Sequence, residues 1–462
     1  MIYLFIHQNF PGQYKHLIRH LADDPDNTVY FISQPNPNWM QGVIKLVYYP
    51  DLNAPIQCHR YTVDFEVAVR HGEAVAKSLG MLRAQGVTPD IIIGHSGWGE
   101  TLFVKDVYPD TPLLSYFEFF YHHAGVDADF DPEFPGGQDD AGRLRMRNAV
   151  NLLSFESTDW GNAPTQWQRS LYPPEMRGRI SVLHEGIDTD AIKPNPDAWL
   201  QIDRAKLRLS AQDEVITYVA RNLEPYRGFH SFMRAIPEIQ RLRPNAHILV
   251  IGGDEVSYGA ALPSGQTYRQ RMLTELRGRI DLSRVHFLGQ LPYDTYLSVL
   301  QISSAHIYLT YPFVLSWSFL EAMAAGCVMI GSATAPVQEV IRDGENGLLV
   351  DFFSAGHLAE TVDAALSDRQ RMRTIRENAR RTVVENYDLK TCALPRWQNL
   401  IADLVMGRRP VLDDAQPKTK ILPQKPVKQS LGLTPREGVR RKAALGKLEV
   451  SRHCVPMMNE IG

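Results

Sequence analysis

Along most of the chain, short apolar runs alternate with longer amphipathic stretches. In the first half, residues 2–6, 28–33, 43–48, 90–94, 112–117, 150–154 and 180–183 read as buried strands, with helical spacing at 13–21 and 62–85. A second series follows: strands at 215–219, 247–251, 285–288, 306–309, 328–331 and 347–350, and helices at 230–241, 268–277, 293–300 and 319–325. This alternation predicts βαβ units and parallel sheets. The turn-rich stretch 186–196, with Gly186, Asp188 and Pro194, divides the series. The expected architecture is α/β: a first doubly wound domain over 1–186 and a second, with its closing helices, over 187–409. Open α/β sheets bind ligands beyond the carboxyl ends of their strands, so two such domains facing each other enclose one cleft.

Composition narrows the class. The chain has 462 residues, 44% hydrophobic and 22% charged, with a net charge of -3. That is the size of two or three ordinary globular domains, and the near-neutral charge argues against nucleic acid as a partner. No apolar run reaches the ~18–20 residues of a membrane span. The opening 1–6 is too short, and lacks the basic flank, for a signal peptide, and is expected to be the first strand. Cys58, Cys327, Cys392 and Cys454 are scattered, which excludes a zinc or disulfide framework and suits a reducing cytoplasm. From Pro410 to Gly462, ten Lys/Arg stand against five Asp/Glu among six prolines, the composition of a flexible basic tail.

Candidate chemistry gathers at strand ends. Arg221 and Arg227 lie six residues apart on one strand-to-helix loop, where forked guanidiniums suit a diphosphate. On spacing alone, a solvated loop fits as well. After 306–309, Val314, Leu315 and Ser316 lead into an apolar helix carrying Glu321. Free N–H groups at such a helix start attract anions, and Glu321 reads either as a ligand-binding acid or as a buried ion-pair partner. Gly12, in the loop 7–13, permits close approach of a phosphate or sugar, or simply makes a turn. His95, Trp98 and Glu100 share a Gly-flanked turn suited to an acceptor pocket, though His95 also fits as a satisfied structural residue. Asp127 and Asp129 form a D-x-D, but in an acidic loop remote in sequence from the phosphate candidates, so a solvated loop is expected there. No other spacing suggests a metal, and no P-loop or G-x-S-x-G is present.

Taken in order, these stretches resemble family 4 of the glycosyltransferases, retaining sugar-nucleotide enzymes of the GT-B fold with two Rossmann-like domains. The linker Val182-Leu183-His184-Glu185-Gly186-Ile187-Asp188 with Pro194 is similar to the family's "NGVD…F.P". Arg221 and Arg227-Gly228 resemble its Arg…Lys-Gly pair, 249–253 its "L.IVG.G" strand, and Phe287-Leu288-Gly289-Gln290 its turn beside the nucleobase. Glu321-Ala322-Met323-Ala324-Ala325-Gly326 and the stretch from Gln338 to Val350 complete the match, which is strong in the second half, looser in the first and absent from the tail. The resemblance implies a nucleotide-sugar-dependent hexosyltransferase in surface polysaccharide or lipopolysaccharide assembly. It implies retention of configuration, no metal or other cofactor, and a glycan or lipid-linked acceptor. A cytoplasmic setting follows, with contact to the inner face of the membrane through the basic tail. It also implies donor binding by Gly12, Arg221, Arg227, Gln290, the main chain of Val314, Leu315 and Ser316, and Glu321 on the ribose.

The sequence departs from the family in three places. The family carries a second acid eight residues before Glu321, where Phe313 stands here. Arg227 replaces a lysine and keeps its charge. Glu118 follows the strand 112–117, where the family has a histidine. Glu118 and His95 are therefore the candidate catalytic residues, and burial beneath Phe117, Phe119 and Phe120 is expected to raise the Glu118 pKa. The alternative for Glu118 is a structural acid paired with a neighbouring His or Arg. Two rival functions remain open, a non-catalytic GT-B partner subunit and a GT-B nucleotide-sugar epimerase. A phosphorylase would need a cofactor-bearing lysine, and none stands near Arg221 or Glu321.

Overall fold

The computed structural model describes residues 1–137 and 139–412; the basic segment from residue 413 onward lies outside them. The first sheet has seven parallel strands, β1 (Ile2–Ile6), β2 (Thr28–Ser33), β3 (Val43–Val47), β4 (Ile91–His95), β5 (Leu113–Tyr116), β6 (Trp160–Ala163) and β7 (Ile180–Val182). Their order is β3-β2-β1-β4-β5-β6-β7. After a small antiparallel hairpin, β8 (Trp199–Ile202) and β9 (Leu207–Ser210), come six more parallel strands. These are β10 (Val215–Asn222), β11 (His247–Gly253), β12 (Val285–Gly289), β13 (Ala305–Tyr308), β14 (Met329–Ser332) and β15 (Leu348–Val350), in the order β12-β11-β10-β13-β14-β15.

Strand β1 shows why the sheets read as unbroken apolar runs. Tyr3 and Phe5 point to one face, against Leu17, Ile18 and Leu21 of the helix Lys15–Ala22, while Leu4 and Ile6 meet Val75, Leu79 and Leu82 of the helix Val63–Ala84. A strand covered on both faces needs apolar residues at every position. Each sheet reverses its strand order once, between β1 and β4 and between β10 and β13. The carboxyl ends of these four strands and the loops after them carry Gly12, His95, Arg227 and Ser316, so the candidates sit at the two switch points where such folds open to ligand.

Two expectations are corrected. The run 150–154 is not a strand; it belongs to the helix Asp140–Ser157, whose buried face carries Leu144, Asn148, Asn151 and Ser154. Leu152 and Leu153 are each 48% exposed there. The asparagines are buried because they bond backbone, from Asn151 Nδ2 to Phe119 O (3.0 Å) and from Asn148 Nδ2 to Tyr121 O (2.7 Å). The actual strand is β6. The last closing helix, Leu394–Val405, also leaves the second domain. Leu394, Trp397, Leu400, Ile401 and Leu404 pack into the cluster of Tyr3, Phe5 and Trp160, because this amphipathic face joins the helix Lys15–Ala22 on the same side of the first sheet. The outgoing and returning chains cross together: Ile187 N–H donates to Tyr387 O and Leu389 N–H to Ile187 O, both 2.8 Å. Gly186 fits there at φ +94, since a Cβ would come within 2.7 Å of the Ala393 methyl.

Candidate active site

On the first-domain side, the loops after β1, β4 and β5 converge. His7 and His95 are buried with ring centroids 5.3 Å apart, and Trp98 stacks on His95 at 3.9 Å. His7 Nδ1 accepts from Asn9 N–H (2.8 Å) and His95 Nδ1 from Gly97 N–H (3.0 Å). In the neutral rings the proton therefore sits on Nε2, and both Nε2 atoms lack a hydrogen-bond partner among the described residues. Burial lowers the His7 pKa to about 3. Gly12, at φ +55, is where the chain turns under the His7 ring; a Cβ there would lie 2.7 Å from it.

The structure brings Glu118 and His95 together. Glu118 Oε1 accepts from Gln13 Nε2 (3.1 Å), and Oε2 faces His95 Nε2 at 3.6 Å. The expected upward pKa shift is corrected. Burial does push it up, but His95, then Gln13 and His7, favour the carboxylate and together carry the pKa below its ordinary value. The side chain also remains 25% exposed. Glu118 is thus a charged hydrogen-bond acceptor at neutral pH rather than a tuned proton acceptor.

Two further buried acids stand nearby: Glu100, named from the sequence with His95 and Trp98 in the Gly-flanked turn, and Glu185, quoted there only as part of the linker motif. Glu100 Oε1 accepts from Tyr48 OH (2.9 Å), while Oε2 has no partner among the described residues, and burial raises the pKa to about 6. Glu185 bridges the domains: Tyr116 OH, on β5, donates to Oε1, and Trp317 Nε1, at the start of the helix Trp317–Ala324, donates to Oε2 (3.1 Å). The signal for Glu185 was an acid within a linker motif otherwise made of turn and apolar residues.

On the second-domain side, the two arginines part. Arg227 is buried, and its Nη1 donates to Tyr308 OH (3.1 Å), Thr310 Oγ1 (2.9 Å) and Val314 O (2.9 Å). Arg221 is exposed on β10 and makes no side-chain hydrogen bond or ion pair among the described residues. Of the proposed anion-binding amides, Ser316 N–H is already committed to Tyr308 OH (2.9 Å). The amides of Val314, Leu315, Trp317 and Ser318 have no hydrogen-bond partner among the described residues. Glu321 has no ion-pair partner among the described residues; Oε1 accepts from Tyr293 OH (2.9 Å) and Oε2 from Tyr296 OH (2.8 Å). Gln290 is exposed beside Gly253, after β12. Phe313, at the place of the family's first acid, is 9% exposed and packs on Tyr258 (4.9 Å between centroids), Phe119 (4.9 Å) and Tyr226 (5.3 Å).

The acidic loop is also corrected. Asp127 and Asp131 are buried rather than solvated, because their segment docks on the second domain, with Tyr226 OH donating to Asp127 Oδ2 at 3.0 Å. Proximity in space, invisible in the spacing, places the D-x-D against Tyr226, the residue before Arg227. Asp129 itself caps Gly125 N–H (2.9 Å).

Comparison with known proteins bears on the family and the fold. Residues 25–192 match the family model described as Glycosyl transferase family 4 group, and residues 201–382 that of Glycosyl transferases group 1. A D-inositol 3-phosphate glycosyltransferase of Mycobacterium sp. (strain JLS) is 29% identical over 190 residues, 41% of this chain. The matched stretch spans 40% of that relative's length. Among solved structures, sucrose-phosphate synthase from Thermosynechococcus elongatus superposes with a TM-score of 0.66 at 19% identity, covering 88% of this chain and 100% of that one. Anabaena HepE in complex with UDP and glucose gives 0.60 at 16%, covering 87% and 100%. The two models meet on either side of the linker, and the solved neighbours share both domains. The chain belongs to the family 4, group 1 glycosyltransferases and has the GT-B fold.

Proposed function

We propose that the protein transfers a hexosyl group from a nucleotide sugar to an acceptor hydroxyl, with retention of configuration and without a metal, in surface polysaccharide or lipopolysaccharide assembly. The single observation that carries the reading is the Glu185 bridge. It joins Tyr116, stacked with His95 at 5.3 Å, to the helix start that bears Glu321, so a cleft lined by both domains' candidates is held together at its centre.

Breaking the glycosyl–phosphate bond builds negative charge on the departing diphosphate. Arg227, fixed by three hydrogen bonds, and the uncommitted amides of Trp317 and Ser318 are preorganised to stabilise that charge. Arg221 is free to reach the same phosphates. Glu321 has lone pairs beyond those used by the two tyrosines, enough to accept from ribose hydroxyls. On the other wall, Glu118 accepts from sugar or acceptor hydroxyls, and the Nε2–H groups of His7 and His95 donate to them. The departing phosphate takes the acceptor proton, so no protein base is required. The acceptor is a glycan or lipid-linked hydroxyl, and the basic segment 410–462 holds the enzyme at an anionic membrane surface.

Nucleotide release from a panel of UDP- and GDP-sugars tests this. Release from at least one donor, strongly reduced in the Arg227→Ala variant, is expected; absence of both release and nucleotide binding across the panel would refute it. The second reading, a non-catalytic partner subunit, draws on Phe313, whose ring fills the place of an acid with a dry aromatic cluster.

A further inference from the structure

The segment that leaves Glu118 does not stay with its own domain. At its origin, Asn148 and Asn151 pin the backbone of Tyr121 and Phe119 to the first domain. Beyond that, residues 119–137 run across to the second. Tyr226 OH donates to Asp127 Oδ2 (3.0 Å), Tyr311 OH to Asp131 Oδ2 (2.8 Å), and His230 Nε2 lies 2.9 Å from that same oxygen. Glu133 receives Arg234 Nη1 (2.6 Å) and Arg271 Nη2 (2.7 Å). The Phe130 ring lies 5.1 Å from each of Tyr311, Phe352 and Phe353. Three acids and an aromatic anchor of one domain thus seat themselves on matching groups of the other.

The place where this strap lands is what gives it a consequence. Tyr226 immediately precedes Arg227 on the three-residue turn Pro225–Arg227. Its carbonyl accepts from Tyr311 N–H (2.9 Å), and its ring packs on Tyr311 (4.7 Å) and Phe313 (5.3 Å), so among the described residues the hydroxyl is the end that the strap alone holds. We infer that Asp127 is a positioning residue for the donor-phosphate arm: through Tyr226 it fixes the turn that presents Arg227, and it does so only while the first domain's strap is docked. The strap starts one residue after Glu118, so the acceptor-side acid and the segment that docks on the donor-side turn share one stretch of chain. A bound donor thereby finds its phosphate arm formed when the two domains are together, and loosened when they are apart.

The inference rests on the assignment of Arg227 to the donor phosphate, and two readouts keep the two claims separate. The first needs no ligand: amide hydrogen exchange of the full chain over the turn 224–228. Asp127→Ala and Tyr226→Phe should each speed exchange there at least fivefold, Asp127→Asn, which keeps an acceptor oxygen, should restore it, and the double variant should go no further than the worse single one. Unchanged exchange in both single variants, or faster exchange confined to the strap with a lowered melting temperature, overturns the positioning role. The second readout is calorimetric titration with UDP and with GDP. Affinity should fall three- to tenfold in Asp127→Ala and Tyr226→Phe and recover in Asp127→Asn. If exchange responds as stated but the unmodified chain binds neither nucleotide, the strap stands as the element that sets this turn and the donor reading of Arg227 fails.

Discussion

Replacing Glu100 by Gln should make the protein more stable at neutral pH, by an amount that follows from the site. Glu100 is buried against Tyr48 and His71, with one carboxylate oxygen unpartnered. Burial raises its pKa from 4.5 to about 6. A raised folded-state pKa means stability that is fully present below the unfolded pKa of 4.5 and is lost as pH rises through 6. The 1.5-unit difference corresponds to about 2 kcal/mol lost between pH 4 and 7.5. Gln keeps an oxygen for the Tyr48 hydroxyl and removes the ionisation. Buried histidines work the other way: His7 and His306, at about 3, and His16 and His71, at about 4, make the whole protein gain stability as pH rises through their unfolded pKa. The readout is therefore the difference in melting temperature between variant and parent, in which the histidines largely cancel. That difference should grow by on the order of 5 °C from pH 4 to pH 7.5 for a domain of this size. A difference that is flat with pH, or that shrinks, would refute the reasoning.

Other outcomes follow from the cleft. Arg227→Ala should lower kcat/KM by on the order of 2–4 kcal/mol of transition-state stabilisation and also depress the melting temperature, because Tyr308, Thr310 and Val314 O lose a shared donor, while Arg227→Lys should be milder on both counts. Glu321→Gln should weaken nucleoside diphosphate binding in calorimetry, with little change in melting temperature, since no ion pair is lost. Glu118→Gln should cut turnover at least tenfold, about 1.4 kcal/mol, at unchanged nucleotide affinity. Its folded-state pKa is lowered, so the stability contributed by the Glu118 carboxylate is present above the unfolded pKa of 4.5 and is lost as pH falls through the folded value; acid melting curves of the Gln variant should lack that loss.

The architecture was legible because parallel strands buried on both faces and amphipathic crossover helices leave opposite periodicities in the chain. Where the pattern misled, polar side chains were satisfying backbone instead of water. Asn148 and Asn151 turn a buried helix face polar, leaving Leu152 and Leu153 outside, and the run reads as a strand. Donor-side candidates could be named from the sequence because loop and helix start are contiguous in it. The acidic loop and Glu185 were misjudged or passed over for the converse reason: their partners, Tyr226 and Trp317, lie 99 and 132 residues away. Long-range partners also decided the Glu118 pKa. Local sequence announces the aromatic burial that raises it, whereas His95 and Gln13, which lower it, arrive from the end of β4 and the loop after β1.

How the protein distributes its ion pairs gives the cleft its character. Away from it, arginines meet carboxylates directly, as in Arg234 with Glu275 (2.7 Å) and Arg243 with Asp363 (2.7 Å). Within it, charged groups are held by neutral ones: Arg227 by two hydroxyls and a carbonyl, Glu321 by two phenols, Glu185 by a phenol and an indole, Glu118 by an amide. Neutral donors and acceptors fix the geometry of a charge without cancelling it, and a partly buried charge left uncancelled interacts strongly with whatever enters. Ion-pairing Arg227 to a carboxylate would have stabilised the empty cleft and weakened its hold on a phosphate. An arrangement that keeps one buried cation on the second-domain wall, and hydrogen-bond-accepting acids along both, is completed by a ligand that brings an anion to the first and hydroxyls to the rest. A nucleotide sugar carries both, so the proposed donor class is the one whose groups these otherwise costly, uncancelled charges complement.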